Sequence, residues 1–211
     1  TPKFLKIVES VKSRCNLEIG SFREKNSNIE LDNKNEEYRS TQQRLEELKN
    51  SMTSARKSFD GGRMNDAIIE FEKLTETFPQ HAIGYYNLGR VYKVNKEYDS
   101  AVLNYKKAGE LNPFEEKYSL AIIAIAQEMA KEGDTEYRRQ EFESAIENYK
   151  KAIQYSPSYT TAYFKLARTY FKMKDYENTR IILEENLAVD PNQEQSEKML
   201  GDIYRSPGNP G

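Results

Sequence analysis

Two residue types keep one irregular ladder along this chain. A small residue falls at Ala67, Ala101, Ala145 and Thr179, and a proline at Pro79, Pro113, Pro157 and Pro191; both series step by 34, then 44, then 34 residues. Such spacing marks stacked supersecondary units, each too small to bury its own apolar face, so the chain is restricted to an array of units. The segments "YDSAVLNYKKAGELNP" (98–113) and "FESAIENYKKAIQYSP" (142–157) show the ladder most clearly, with an aromatic, then Ala, then Tyr-Lys-Lys-Ala, then Pro.

Inside one unit, Tyr85, Leu88, Gly89 and Tyr92 recur at i, i+3, i+4 and i+7, which puts them on one face of a helix. A second helix presents Ala101, Val102, Tyr105 and Ala108 and stops before Leu111-Asn112-Pro113, because proline disfavours helical geometry in the residue ahead of it. Gly89 and Ala101 let the two backbones approach while the aromatics fill the space beside them. The unit is a helical hairpin, and alternating strand patterns are absent.

These units resemble tetratricopeptide repeats, a family of 34-residue helix-turn-helix units. The fullest match is "AKEGDTEYRRQEFESAIENYKKAIQYSP", with Gly133, Tyr137, Phe142, Ala145, Tyr149, Ala152 and Pro157 at the family's marked positions. Repeats are expected at 48–81, 82–115, 126–159 and 160–193, with "EKMLGDIY" (197–204) resembling the first helix of a fifth, partial unit over 194–205, and a flexible tail at 206–211. The resemblance implies an all-α, right-handed superhelical solenoid. Ala55, Leu74, Thr179 and Asn186 depart from the pattern in the outer repeats, where one side lacks a neighbour and departures are expected.

The 44-residue step places ten extra residues between Pro113 and Gly133. Tyr118, Ala121, Ile122, Ile125 and Met129 keep helical spacing through them. The insertion, 116–125, therefore reads as an extension of a first helix running from about 116 to 138, longer by roughly 15 Å at 1.5 Å per residue. Ile123 and Ile125 widen its apolar surface beyond one stripe. Either neighbouring repeats and the N-terminal arm cover it, or Tyr118, Ile122, Ile123 and Ile125 form a docking ridge for a partner.

Residues 1–47 read as a separate helical arm. Val8, Cys15, Phe22 and Ile29 are spaced by sevens, with Phe4 and Val11 beside them, which permits a short coiled-coil seam until Glu36 and Gln43 break it. Leu45, Leu48, Met52 and Ala55 then restore an apolar stripe into the first repeat. The arm is expected either to self-associate, making a homo-oligomer, or to fold back on the solenoid. Cys15 serves most simply as a small apolar seam residue.

Composition removes other classes. With 32 Lys+Arg against 34 Asp+Glu, no nucleic-acid surface or polybasic membrane patch is indicated. One cysteine and one histidine provide no disulfide framework and no metal-ligand spacing. The longest apolar run, "LAIIAIA" at 120–126, falls short of the roughly 20 residues that span a bilayer. Thr1-Pro2 opens the sequence without an initiator methionine, which reads as a trimmed or processed end; cytoplasm and periplasm both stay open, as does an anchor ahead of it. Gly61-Gly62 suits an interhelix turn and lacks the lysine of a phosphate loop, and His81 follows a helix-ending proline. No acid/base pair, cofactor motif or metal set stands out, so no enzyme, cofactor or metal is expected.

The resemblance implies recognition instead. First helices of such repeats line a concave groove, and the positions expected to point into it are Arg56, Arg90, Asp134, Arg168 and Asp202. One turn earlier stand Met52, Tyr86, Ala130, Phe164 and Lys198, and one turn later Phe59, Lys93, Tyr137, Phe171 and Arg205. Tyr86/Arg90 and Phe164/Arg168 form matching aromatic–arginine pairs, suited to an apolar contact beside a carboxylate. Alternatively the arginines are solvated or paired with Asp134 and Asp202. Of the lysine and asparagine set with which the co-chaperone branch clamps a terminal carboxylate, only Asn87 and Lys131 match, while Arg56, Met52 and Gln127 depart, so chaperone-tail binding is not expected. Two function classes remain: an adaptor or scaffold binding a protein or peptide, and an assembly component whose arm self-associates, for example in a bacterial envelope complex.

Overall fold

The computed structural model describes residues 2–205 and contains, among them, nine helices and no strand. α1 covers Pro2–Asp60; it is followed by α2 (Met64–Thr77), α3 (Ala82–Val94), α4 (Tyr98–Leu111), α5 (Lys117–Arg138), α6 (Phe142–Tyr155), α7 (Thr160–Lys172), α8 (Tyr176–Val189) and α9 (Glu194–Arg205). The chain forms two compact units, 1–53 and 54–211.

In the first unit, Leu17, Ile29, Leu31, Tyr38 and Leu45 are all exposed large apolar side chains on one helix. The side chains of Val8, Cys15 and Phe22 of the heptad seam, and of Phe4 and Val11, lie outside those described, and the tail at 206–211 lies outside the described residues.

The second unit is an all-α solenoid in which each helix from α2 to α9 packs on the next in chain order, and α5 also touches α7, one first helix against another. The twin segments explain the packing. Ala101 and Ala145 are wholly buried, which brings α4 and α6 close to their partner helices, and Tyr105 and Tyr149 fill the space alongside at 1% and 0% exposure. Both tyrosines sit where the opposite helix has glycine: a Cβ on Gly89 would stand 2.7 Å from the Tyr105 ring, and one on Gly133 would stand 2.8 Å from Tyr149. The main core then runs between repeats, joining Val102, Ile125, Ala126, Met129, Tyr155, Ala162 and Leu166.

Each hairpin turns the same way. Gly62, Lys96, Gln140 and Lys174 have φ of 75°, 62°, 67° and 62°, repeating the 34–44–34 steps of the sequence ladder. In every case the next residue donates its N–H to a carbonyl five residues back, as Glu97 does to Tyr92 at 2.9 Å and Glu141 to Glu136 at 3.0 Å, while the left-handed residue bonds three back. This is the Schellman closure that satisfies the last carbonyls of a helix. It stops each first helix and aims the second back along it.

The insertion is a helix without a break: α5 has 22 residues, against 13 in α3 and in α7. Its added turns are not a free ridge. Tyr118 is 4% exposed and Ile125 is 0% exposed, both inside the core; Ile122 and Ile123 are half-buried. The reason is that Tyr118 packs on Tyr86 of α3, ring centroids 5.4 Å apart, and Ile125 enters the inter-repeat core. The cover is supplied by neighbouring repeats, and Tyr118 and Ile125 are corrected from docking residues to core residues.

Candidate functional site

First helices carry the groove positions, and within the second unit the exposures there are mixed. Arg56, Arg90 and Arg168 are exposed; Phe59, Tyr86, Lys93, Tyr137 and Phe164 are half-buried; Phe171 is exposed and meets Tyr176 edge-on at 5.6 Å. Met52, half-buried, belongs to the first unit. Phe164, like Met199 and Leu200 of α9, packs against the small terminal core of Ala167, Leu183 and Ile203, which takes up part of its surface.

Both arginines lie against rings of the preceding repeat. Arg90 does not lie on Tyr86, nor Arg168 on Phe164. Arg90 places its guanidinium carbon 5.3 Å from the centre of the Phe59 ring, and Arg168 places its own 4.7 Å from that of Tyr137. Each arginine thus reaches back to an aromatic of the preceding repeat, one turn further along its helix. The physical cause is the stacking of consecutive first helices, which brings the two positions level, and a guanidinium is held over a ring face by its quadrupole.

Asp134 and Asp202, the acids of the alternative pairing, have partners of their own. Asp134 accepts from the Tyr149 hydroxyl at 2.8 Å and forms an ion pair with Lys165, while Asp202 accepts from Arg205 at 2.9 Å on its own helix. Asn87 is nearly buried; its amide nitrogen donates to the Ile83 carbonyl at 2.9 Å, and its oxygen accepts from Arg90 at 3.2 Å. The arginine is therefore steered from two sides, by a ring and by an amide.

One depression opens on this surface. Phe59, Tyr86, Arg90, Lys93, Lys117 and Leu120 line most of it, with a volume of about 440 Å³. Lys93 comes from the expected groove positions, whereas Lys117 and Leu120 come from the insertion, where spacing alone does not mark them. Lys117 stands 5.5 Å over the Tyr86 ring and 5.2 Å over Tyr118, and pairs with Glu115 at 3.1 Å. The Tyr86 and Tyr105 rings meet at 5.7 Å beneath, and burial pushes the Tyr105 phenol up to about 12.

Among the described residues no group of three potential metal ligands occurs, and no helix is long and apolar enough to cross a membrane. The arrangement offers apolar area edged by cations, which is equipment for binding.

A unit of stacked helical hairpins with a charged, aromatic first-helix surface defines the class of helical-repeat binding modules. Family models for the tetratricopeptide repeat match residues 82–115 and 160–193, and a TPR repeat model matches 133–174. Residues 82–115 and 133–193 are thus tetratricopeptide repeats. No curated relative matches the sequence. Among solved structures it is similar to a crystal structure of MamA (20% identity, 74% of this chain and 80% of that chain, TM-score 0.36). It is similar also to YrrB, described as a TPR protein with an unusual peptide-binding site (15% identity, 71% and 89%, TM-score 0.34). A third is the first TPR of Spaghetti (RPAP3) bound to an HSP90 peptide (22% identity, 59% and 91%, TM-score 0.34).

Proposed function

We propose that this protein is a non-enzymatic adaptor or scaffold that holds a partner protein or peptide on the first-helix surface of its solenoid. The observation that carries the reading is the repeated arginine-over-aromatic arrangement, Arg90 on Phe59 and Arg168 on Tyr137, which leaves exposed guanidinium groups at equivalent places in two repeats. A guanidinium braced by a ring loses little further freedom on meeting a carboxylate, so the contact favours binding. The test is the double variant Arg90→Glu and Arg168→Glu, used as bait in extracts of the source organism beside the unaltered chain. A partner held by the native chain should be lost from the variant, whose melting temperature stays near the native one. If the partner stays, but leaves on altering Ile122 and Ile123, the binding surface is α5.

A second reading is supported by the arm. Leu31, Tyr38 and Leu45 are exposed at successive sevens, with Leu17 two further sevens upstream. Such a line suits a helical partner of the same kind, and self-association of the chain through residues 1–47 would cover it. Light scattering of the chain with and without residues 1–47 separates the readings: an oligomer that becomes a monomer on truncation supports assembly by the arm, and an unchanged number of subunits rules it out.

A further inference from the structure

We infer that the depression between α3 and the start of α5 takes an acidic peptide segment carrying one large apolar or aromatic side chain. This rests on the groove reading above and names the chemistry of its partner.

Three observations converge. Arg90, Lys93 and Lys117 line the depression and no carboxylate does, although the whole chain has a formal net charge of −2. Apolar area lies between the cations: Leu120 is 58% exposed and Val94 55% exposed, over the half-buried Phe59 and Tyr86. The volume, about 440 Å³, lies in the range of about 300–1,000 Å³ typical of binding clefts.

The insertion builds this place. Lys117, Leu120 and Ala121 form one wall, and all three belong to the ten residues that lengthen the repeat step from 34 to 44. At the next junction, where no insertion occurs, Asp134 already pairs with Lys165, so the same surface there carries a negative charge engaged with a positive one. The cation-only lining of the α3–α5 junction is not repeated at α5–α7.

A peptide fits better than a nucleic acid. The two ring faces a base would stack on are occupied, Phe59 by Arg90 and Tyr86 by Lys117, and single-stranded binding depends on such faces. A carboxylate meets the guanidinium edge of Arg90 without displacing it from the ring. The Lys117–Glu115 pair is solvent-exposed, and an exposed pair holds weakly enough to yield to a ligand carboxylate.

The experiment is fluorescence anisotropy of the full chain with glycine-flanked labelled peptides centred on Glu-Glu-Phe-Glu-Glu, Glu-Glu-Ser-Glu-Glu and Lys-Lys-Phe-Lys-Lys, and with a labelled oligothymidine. The first peptide should bind, the second about tenfold or more weakly, and the third and the oligonucleotide not at all. Added salt should weaken the first complex, because its contacts are at the surface. Arg90→Glu with Lys93→Glu should abolish binding, and the equal charge change Lys106→Glu with Lys151→Glu on α4 and α6 should not. If circular dichroism shows the first double variant unfolded, Lys93→Ala with Lys117→Ala replaces it. Equal binding of all three peptides, binding of none up to about 1 mM, preference for the oligonucleotide, or indifference to the replacements overturns the inference. Should the peptides fail while Arg90→Glu with Arg168→Glu still releases a natural partner, the adaptor reading stands and only the acidic-peptide chemistry falls.

Discussion

At the residue scale, two glycines illustrate two different reasons for having no side chain. Gly62 has φ of 75° and open space where a Cβ would go, so its role is conformational. Gly89 has ordinary helical geometry but would drive a Cβ to 2.7 Å from the Tyr105 ring and 3.1 Å from the Ala101 carbonyl. Gly62→Ala should therefore cost about 1 kcal/mol, the left-handed penalty of a side chain. Gly89→Ala should cost more, because a ring packed on both sides and a backbone oxygen must both move. Urea unfolding of the two variants checks the order, and a Gly62→Ala loss larger than that of Gly89→Ala would contradict it. Lys96, Gln140 and Lys174 show that the same turn tolerates a side chain, with Schellman hydrogen bonds offsetting the strain.

At the element scale, α5 differs from α3 and α7 by the length of its N-terminal turns, and those turns are half core and half surface. Ile125 is fully buried in the inter-repeat core, so Ile125→Ala should lose about 2–5 kcal/mol. Leu120 is exposed on the same helix, and Leu120→Ala should stay within about 0.5 kcal/mol. Ala124→Pro, set mid-helix, should cost about 3 kcal/mol or more by removing a backbone bond and kinking the extension. Thermal melting followed by helix signal measures all three; near-native melting of Ile125→Ala would mean that the extension does not pack as described.

At the scale of the whole molecule, tyrosine hydroxyls tie helices of the solenoid to one another. Tyr92 donates to Glu72 at 2.7 Å, Tyr98 to Glu128 at 2.8 Å, Tyr155 to Asp99 at 2.8 Å and Tyr204 to Glu184 at 2.9 Å. Burial first, and the carboxylate partner second, push the Tyr92 and Tyr98 phenols up to about 12; burial and Asp99 raise Tyr155 as well. A phenol whose pKa is raised on folding holds its proton more tightly in the native state. Its contribution is complete below the unfolded value near 10 and is lost as pH climbs from about 10 toward 12. Alkaline titration should show Tyr92, Tyr98 and Tyr155 ionising above pH 10, together with loss of helix. Ionisation of these three near pH 10 with the helix signal intact would refute this.

The sequence by itself determined the repeat, the hairpin and the lengthened helix, because each depends on spacing along one strand of chain. A 34-residue step, a 3.6-residue apolar period and a proline after each second helix are local quantities, readable without knowing what lies across the groove. Which side chains meet across repeats was not readable in the same way. Arg90 lies beside Tyr86 at four residues' distance in the chain, yet its guanidinium rests on Phe59, thirty-one residues away, because stacking sets the two first helices level. Tyr118 and Ile125 look like surplus apolar surface when the helix is considered alone, and only the hairpin of α3 and α4 against it decides that they are buried. The cation-lined depression is of the same kind: its residues come from the end of α1, from α3, from α4 and from the insertion, and no single helix contains it. Periodicity assigns a residue to a face; the translation and rotation between neighbouring helices, set by the volumes of Gly89, Ala101 and Tyr105, decide what that face touches.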